Sequence, residues 1–279
     1  MGTSSMYGGP GGGAPRENPL LPPDFDPNSP EQPDFNPDQD QEDQNDNDGN
    51  EEAGNPDQES EIQTTWQSAK TLMSKLSSGN AGSVTSVVST YVKAHGGGKS
   101  ASRSIPSGVR AAVRLGNFVS SVASSSFREV IESYKIDYQG KSATEILTQL
   151  IDVLAPAPIT REDSVARKAL IITMEQVYEM VERSEMDIME MDANGLNFIV
   201  PCYVKAFIYE RLLNDLGSRI ESSNITTDRA IELETELRDY IDSKVDVVFK
   251  GRDFSGSTFT TDLVESIFNQ CYTAMEIMI

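Results

Sequence analysis

The chain has 279 residues, 37% of them hydrophobic, and a formal net charge of −21. That is enough apolar material for one or two domains with a real core. No apolar run reaches the ~18 residues of a membrane span, the N-terminus has no charged-then-apolar signal pattern, and Cys202 and Cys271 alone do not make a disulfide framework, so the expectation is a cytoplasmic protein that meets no membrane.

The charge is segregated along the chain. Residues 1–61 hold sixteen acidic residues and one basic residue, residues 62–128 hold eight basic residues and no acidic one, and residues 129–279 hold 28 acidic against 14 basic. Residues 1–58 read as a disordered Gly/Pro/Asp-rich tail. Its few large apolar residues (Tyr7, Leu20, Leu21, Phe25, Phe35) follow no period, and burying them cannot offset roughly 1–2 kcal/mol per residue of backbone ordering. Pro23-Asp24-Phe25-Asp26-Pro27 nearly repeats as Pro33-Asp34-Phe35-Asn36-Pro37. The pair is either a low-complexity linker or two docking peptides anchored by Phe.

Helical periodicity starts at Ser60, a good N-cap. Ile62, Trp66, Ala69, Leu72, Met73 and Leu76 mark one face. Val84, Val87, Val88, Tyr91 and Val92 make a second stripe, ended by Gly96-Gly97-Gly98. A Gly/Ala/Ser-rich segment runs from Pro106 through Val109, Ala112, Leu115, Val119 and Val122, with neighbours able to approach closely. A short helix follows from Phe127 to about Tyr134. Ser142-Ala143-Thr144-Glu145 is a capping box ahead of Ile146, Leu147, Leu150, Ile151 and Leu154, and Pro156 and Pro158 break that helix. Thr160 opens a long helix. Asn194 to Ile220 is another long helical segment, with Pro201 tolerated at a first turn or a kink. Thr227 to Phe249 and a last helix from Thr260 complete the chain. The predicted fold is all-α: a tail over 1–58, a basic Ser/Gly-rich helical subdomain over 59–135 and an acidic helical domain over 142–279.

Reactive constellations are scarce. His95, the one histidine, sits beside the triple glycine and reads as an exposed helix-end residue. Gly98-Lys99-Ser100 imitates the end of a phosphate-binding loop. Lys93 stands where its first glycine belongs and no strand precedes it, so the motif does not make a nucleotide site. Glu175/Glu179 and Glu232/Glu236 are i,i+4 pairs that suit a solvated helix face; the Glu-x-x-His partners of a carboxylate metal site are missing. No metal, cofactor or catalytic residue is expected. The basic stretch 62–128, with Lys93, Lys99, Arg103, Arg110 and Arg114 as its candidate contact residues, has three readings. It meets an acidic protein surface, it meets nucleic-acid phosphates, or it packs internally against the acidic C-terminal domain.

The chain begins Met1-Gly2-Thr3-Ser4-Ser5-Met6-Tyr7-Gly8-Gly9-Pro10. Small Gly2 lets the initiator Met be removed and exposes an α-amine, which at a pKa of about 7.7–8.0 is partly an uncharged nucleophile near neutral pH. Met6 occupies the position where N-myristoylation wants Ser or Thr. This terminus resembles the start of the QatB family, a component of bacterial Qat anti-phage systems, over Met1 to Ser5 and Tyr7 to Pro10; Met6 departs from the Ser expected there. The resemblance continues through Leu20-Leu21-Pro22-Pro23, Trp66-x-x-Ala69-Lys70, Tyr91-Val92-Lys93-Ala94-x-Gly96-Gly97, Arg114-Leu115-Gly116-Asn117-Phe118 and Ile208-Tyr209-Glu210-Arg211-Leu212-Leu213.

The resemblance implies an operon encoding an ATPase, this B component, a QueC-like enzyme and a TatD-like nuclease, with those products as partners. QueC-like enzymes activate a deazaguanine carboxylate with ATP and pass it to an amine. The chain would then be a non-catalytic protein substrate: Gly2 supplies the amine, and Thr3, Ser4, Ser5, Tyr7, Gly8, Gly9 and Pro10 are recognised by the partner enzyme. A disordered tail over 1–58 would span on the order of 40 Å and reach that enzyme's active site. The other reading is a nucleic-acid-binding adaptor that places a partner nuclease through 62–128.

Overall fold

The computed structural model describes residues 56–79, 82–192, 196–221, 225–252 and 257–277, with side chains from residue 65 onward. In order these form α1 (Pro56–Ser77), α2 (Val84–Ala94), α3 (Gly98–Arg103), α4 (Pro106–Ser124), α5 (Phe127–Ser133), α6 (Ala143–Leu154), α7 (Arg161–Ser184), a 3₁₀ turn (Ile188–Glu190), α8 (Ile199–Glu221), α9 (Thr227–Phe249) and α10 (Thr261–Glu276). No strand occurs among the described residues, so the all-α expectation holds.

Most helix starts are where the sequence puts them. Ser142 accepts from the Glu145 backbone and Glu145 reaches back to it, and Thr160 with Asp163 closes a second capping box at α7. Pro201 falls in the first turn of α8, where the missing N–H costs nothing. Four details differ. The long helical segment expected from Asn194 gives α8, which starts at Ile199. α1 begins at Pro56 rather than at Ser60, and proline is well suited to a first helical position. The triple glycine not only ends α2 but opens α3, which periodicity over six residues could not reveal. The 3₁₀ turn is likewise too short to show a period.

α8 is the central element. It packs against α1, α4, α7 and α9 and buries Tyr203, Phe207, Ile208, Tyr209, Glu210 and Leu212 on several sides at once, as a helix inside a bundle must. The buried Glu210 is neutralised by Lys168 of α7 at 2.7 Å. α10 lies against α2, α3, α4 and α9. Side chains from both sides of the 134–142 connection enter the same hydrophobic cluster, among them Tyr91, Leu115, Phe118, Leu150, Phe207 and Phe268.

The small residues of 96–116 let helices touch. Gly96 and Gly97 have φ of +81° and +84°, a left-handed turn that side chains resist. A Cβ on Gly98 would lie 2.5 Å from Thr273 Oγ1, one on Gly108 2.3 Å from the Phe207 ring, and one on Gly116 2.2 Å from the Phe259 ring. Ile105, at the N-cap position ahead of α4, offers no side-chain cap. Glu162 of α7 takes that role, accepting from the Ser107 N–H at 2.7 Å and the Gly108 N–H at 3.3 Å.

Candidate functional site

The five candidate contact residues are all exposed. They fall into two groups. Lys93, Lys99 and Arg103 lie at the end of α2 and along α3 and make no ion pair among the described residues. Arg110 and Arg114 project from α4 toward the α6–α7 connection. Arg110 donates to Ser107 Oγ at 2.8 Å and lies 3.5 Å from Asp163, while Arg114 donates to the Leu154 carbonyl at 3.2 Å. The hydrogen bonds from Ser107 and from the α7 N-terminal backbone hold the Asp163 carboxyl at about 2.

Behind the first group lies a polar cluster that the sequence reading missed. His95 caps the end of α2, as expected, but its side chain is only 13% exposed, so its reading as an exposed residue is corrected. The ring packs edge-on against Trp66 and Tyr91, both with centroids 4.8 Å away. Arg211 Nη2 approaches His95 Nδ1 at 3.4 Å. Since guanidinium only donates, the neutral ring carries its proton on Nε2, which faces Asp215 Oδ2 at 3.7 Å, beyond hydrogen-bond reach. Asp215 accepts from the Tyr91 hydroxyl at 2.8 Å, and Arg211 also donates to Ser104 Oγ at 3.0 Å.

The electrostatics follow from burial. Desolvation lowers the His95 pKa, against a weaker opposing pull from Asp215. Burial alone would raise the Asp215 carboxyl, but its contacts with His95 and Tyr91 and the Arg211 charge bring it below the ordinary value. Burial foremost pushes the Tyr91 phenol well up. The cluster ties α1, α2, α3 and α8 together, and His95 serves it as a packed neutral ring. The legible signal was Arg211 and Asp215 at i,i+4 beside the buried Leu212 and Leu216, a pair of charges too close to a core stripe to be purely solvated.

The phosphate-loop imitation ends on a carboxylate: Gly98 N–H donates to Glu276 Oε2 at 3.1 Å. Glu232 and Glu236 both pair with Arg229, at 3.3 and 3.1 Å. Among the described residues no group of three or more His, Cys, Asp or Glu could hold a metal ion, and no helix is long and apolar enough to cross a membrane. An open groove of about 710 Å³ runs between α7, α8 and α9. Phe198, Cys202, Tyr209 and Phe249 line it together with Lys205, which pairs with Asp246 at 2.8 Å. Gly2, Thr3, Ser4, Ser5, Tyr7, Gly8, Gly9 and Pro10 lie outside the described residues.

These features define an all-α protein whose histidine is committed to packing and whose cations are largely on its surface. The chain belongs to the QatB family: the model of the Qat anti-phage system associated protein QatB matches residues 96–278. It is therefore a component of an anti-phage defence system, whose other members are its implied partners. The match takes in the triple glycine, Arg211 and Asp215. No curated protein and no solved structure matches the chain.

Proposed function

We propose that the chain acts in the cytoplasm as a non-catalytic component of its defence system, docking a QueC-like enzyme and presenting the Gly2 α-amine as acceptor for a deazaguanine-type group. The amine would attack the ATP-activated carboxylate carbon, forming an amide as the activating group leaves and a proton passes to solvent. Family membership together with the Gly-led, small-residue terminus carries this reading. The exposed cations of α3 and α4 support a docking role for the helical part, and the operon ATPase and TatD-like nuclease are further candidate partners. The test is co-expression with the QueC-like enzyme, followed by intact mass and phage plating. Wild type should gain mass; Gly2→Leu should fold, dock, and lose both the mass gain and defence. A mass shift that persists in Gly2→Leu, or maps to a lysine, refutes the reading.

A second reading, a nucleic-acid adaptor for a partner nuclease, draws on Lys93, Lys99 and Arg103, exposed and outside any ion pair among the described residues. Salt-dependent binding of DNA or RNA, lost on reversing these three charges, would favour it.

A further inference from the structure

The connection from α6 to α7 runs through Ala155-Pro156-Ala157-Pro158-Ile159. Ile159 is 95% exposed, the highest value among the large apolar residues described. A lone exposed aliphatic is ordinary, but this one is held in place. Pro156 and Pro158 fix the backbone before it. The Ile159 and Thr160 N–H groups point at Asp163 Oδ2, at 3.4 and 3.0 Å. Arg114 and Arg167 donate to the Leu154 and Ala155 carbonyls. The ordering that binding normally demands of a loop is therefore already met in the free protein.

Beside this turn is a hollow of about 220 Å³ with Ala111, Pro156, Ala157 and Ile159 on its walls and Arg110 and Arg114 at its edge. Each guanidinium has five N–H donors, and the internal bonds of Arg110 and Arg114 use only some of them. Asp163, which also lines the hollow, caps α7 and lies 3.5 Å from Arg110, so it meets part of that charge, while Glu162 caps α4 and Asp152 pairs with Arg167; Arg114 has no ion pair among the described residues.

We propose that the Pro156–Ile159 turn, its hollow and Arg110/Arg114 form a docking surface for a partner protein that presents an acidic segment bearing one apolar side chain. That side chain fills the hollow against Ile159, and carboxylates beside it meet the two guanidinium groups, a planar pairing that arginine favours. Ile159 supplies an apolar anchor and the arginines a charged rim, the arrangement of an energetic hot spot. The proposal rests on the docking half of the reading above and is independent of chemistry at Gly2.

The test uses the full-length chain against each other Qat component, purified singly, with affinity measured at low and high salt. One component should bind the wild type. Ile159→Asp, a change at an exposed position that spares the core, should weaken it by about tenfold or more. Arg110→Glu/Arg114→Glu should weaken it and flatten its salt dependence, and Gly2→Leu should leave it intact. The proposal is overturned if Ile159→Asp, folded by circular dichroism, binds within about twofold of wild type. It is equally overturned if no component binds, if sedimentation shows that Ile159 instead drives self-association, or if the arginines bind DNA or RNA without regard to Ile159. Failure of the modification reading shows separately, as an unchanged intact mass with docking preserved.

Discussion

Gly108 and Gly217 both sit inside helices, and alanine should act on them with opposite sign. In a helix interior alanine gains about 0.8–1 kcal/mol over glycine. At Gly217 a new Cβ meets nothing within 4 Å, so that gain stands. At Gly108 the Cβ would lie 2.3, 2.5 and 2.8 Å from three carbons of the Phe207 ring. That ring is fully buried and wedged between Tyr203 and Phe268, at 6.1 and 5.5 Å between centroids, so it cannot swing aside. Overpacking of this kind costs ~1–3 kcal/mol, and any shift of α4 loosens the Tyr203 hydroxyl from the Gly108 carbonyl and Glu162 from the Gly108 N–H. The clash outweighs the propensity gain, leaving Gly108→Ala about 1–2 kcal/mol less stable than wild type and Gly217→Ala up to about 1 kcal/mol more stable. At ~2–4 °C per kcal/mol for a domain of this size, thermal melts of the two variants should separate by roughly 4–12 °C. Equal melting temperatures would show that α4 and α8 are not as close as described and would refute the argument.

His95 gives a pH prediction. Burial lowers its folded pKa from the ordinary 6.5, so the unfolded chain takes up a proton first. The stabilisation is fully present above about pH 6.5 and is lost as pH falls from there through the folded value. Urea midpoints between about pH 8 and pH 5 should therefore fall for wild type more steeply than for His95→Gln; equal slopes would contradict the buried neutral ring. The cysteines give another. Burial pushes the Cys271 thiol to about 12 and also raises that of Cys202, which lines the open groove. Native protein treated with iodoacetamide should label slowly at Cys202 alone, and Cys271 only on unfolding; native labelling of Cys271 at a matching rate, read by peptide mass, would count against its burial.

The fold was legible where a physical signal repeats. Ile146, Leu150 and Leu154 declare α6 by spacing, and Ser142 and Thr160 declare helix starts by local hydrogen bonding, which needs no tertiary context. α3 was not legible because Gly98 helps to form it through what α10 presents, Thr273 and Glu276, and no local pattern encodes a distant neighbour. The same reason hid the His95 cluster: Trp66, His95 and Arg211 are far apart in sequence and meet only once α1, α2 and α8 pack. The exposed candidates Lys93, Lys99, Arg103, Arg110 and Arg114 were easier, since unbroken positive charge in a Gly/Ser setting leaves few places but the surface. Sequence could not divide them into a group beside α3 and a group beside the α6–α7 turn, because that division is made by α7.

The seam between α2, α3 and α10 bears on how the chain is made. Ser89 Oγ donates to the Glu276 carbonyl across 187 positions, and Gly98 to the Glu276 carboxylate across 178. At about 5–20 residues per second of synthesis, α2 waits on the order of 10–40 s for the residues that complete its burial. During that interval the faces of α2 and α3 that later meet α10 are without their cover, and folding is slowed by having to close so long a loop before the contact rewards it. α2 and α3 gain this cover only once α10 has been made, so nascent chains of this protein should depend on holding chaperones until α10 has emerged.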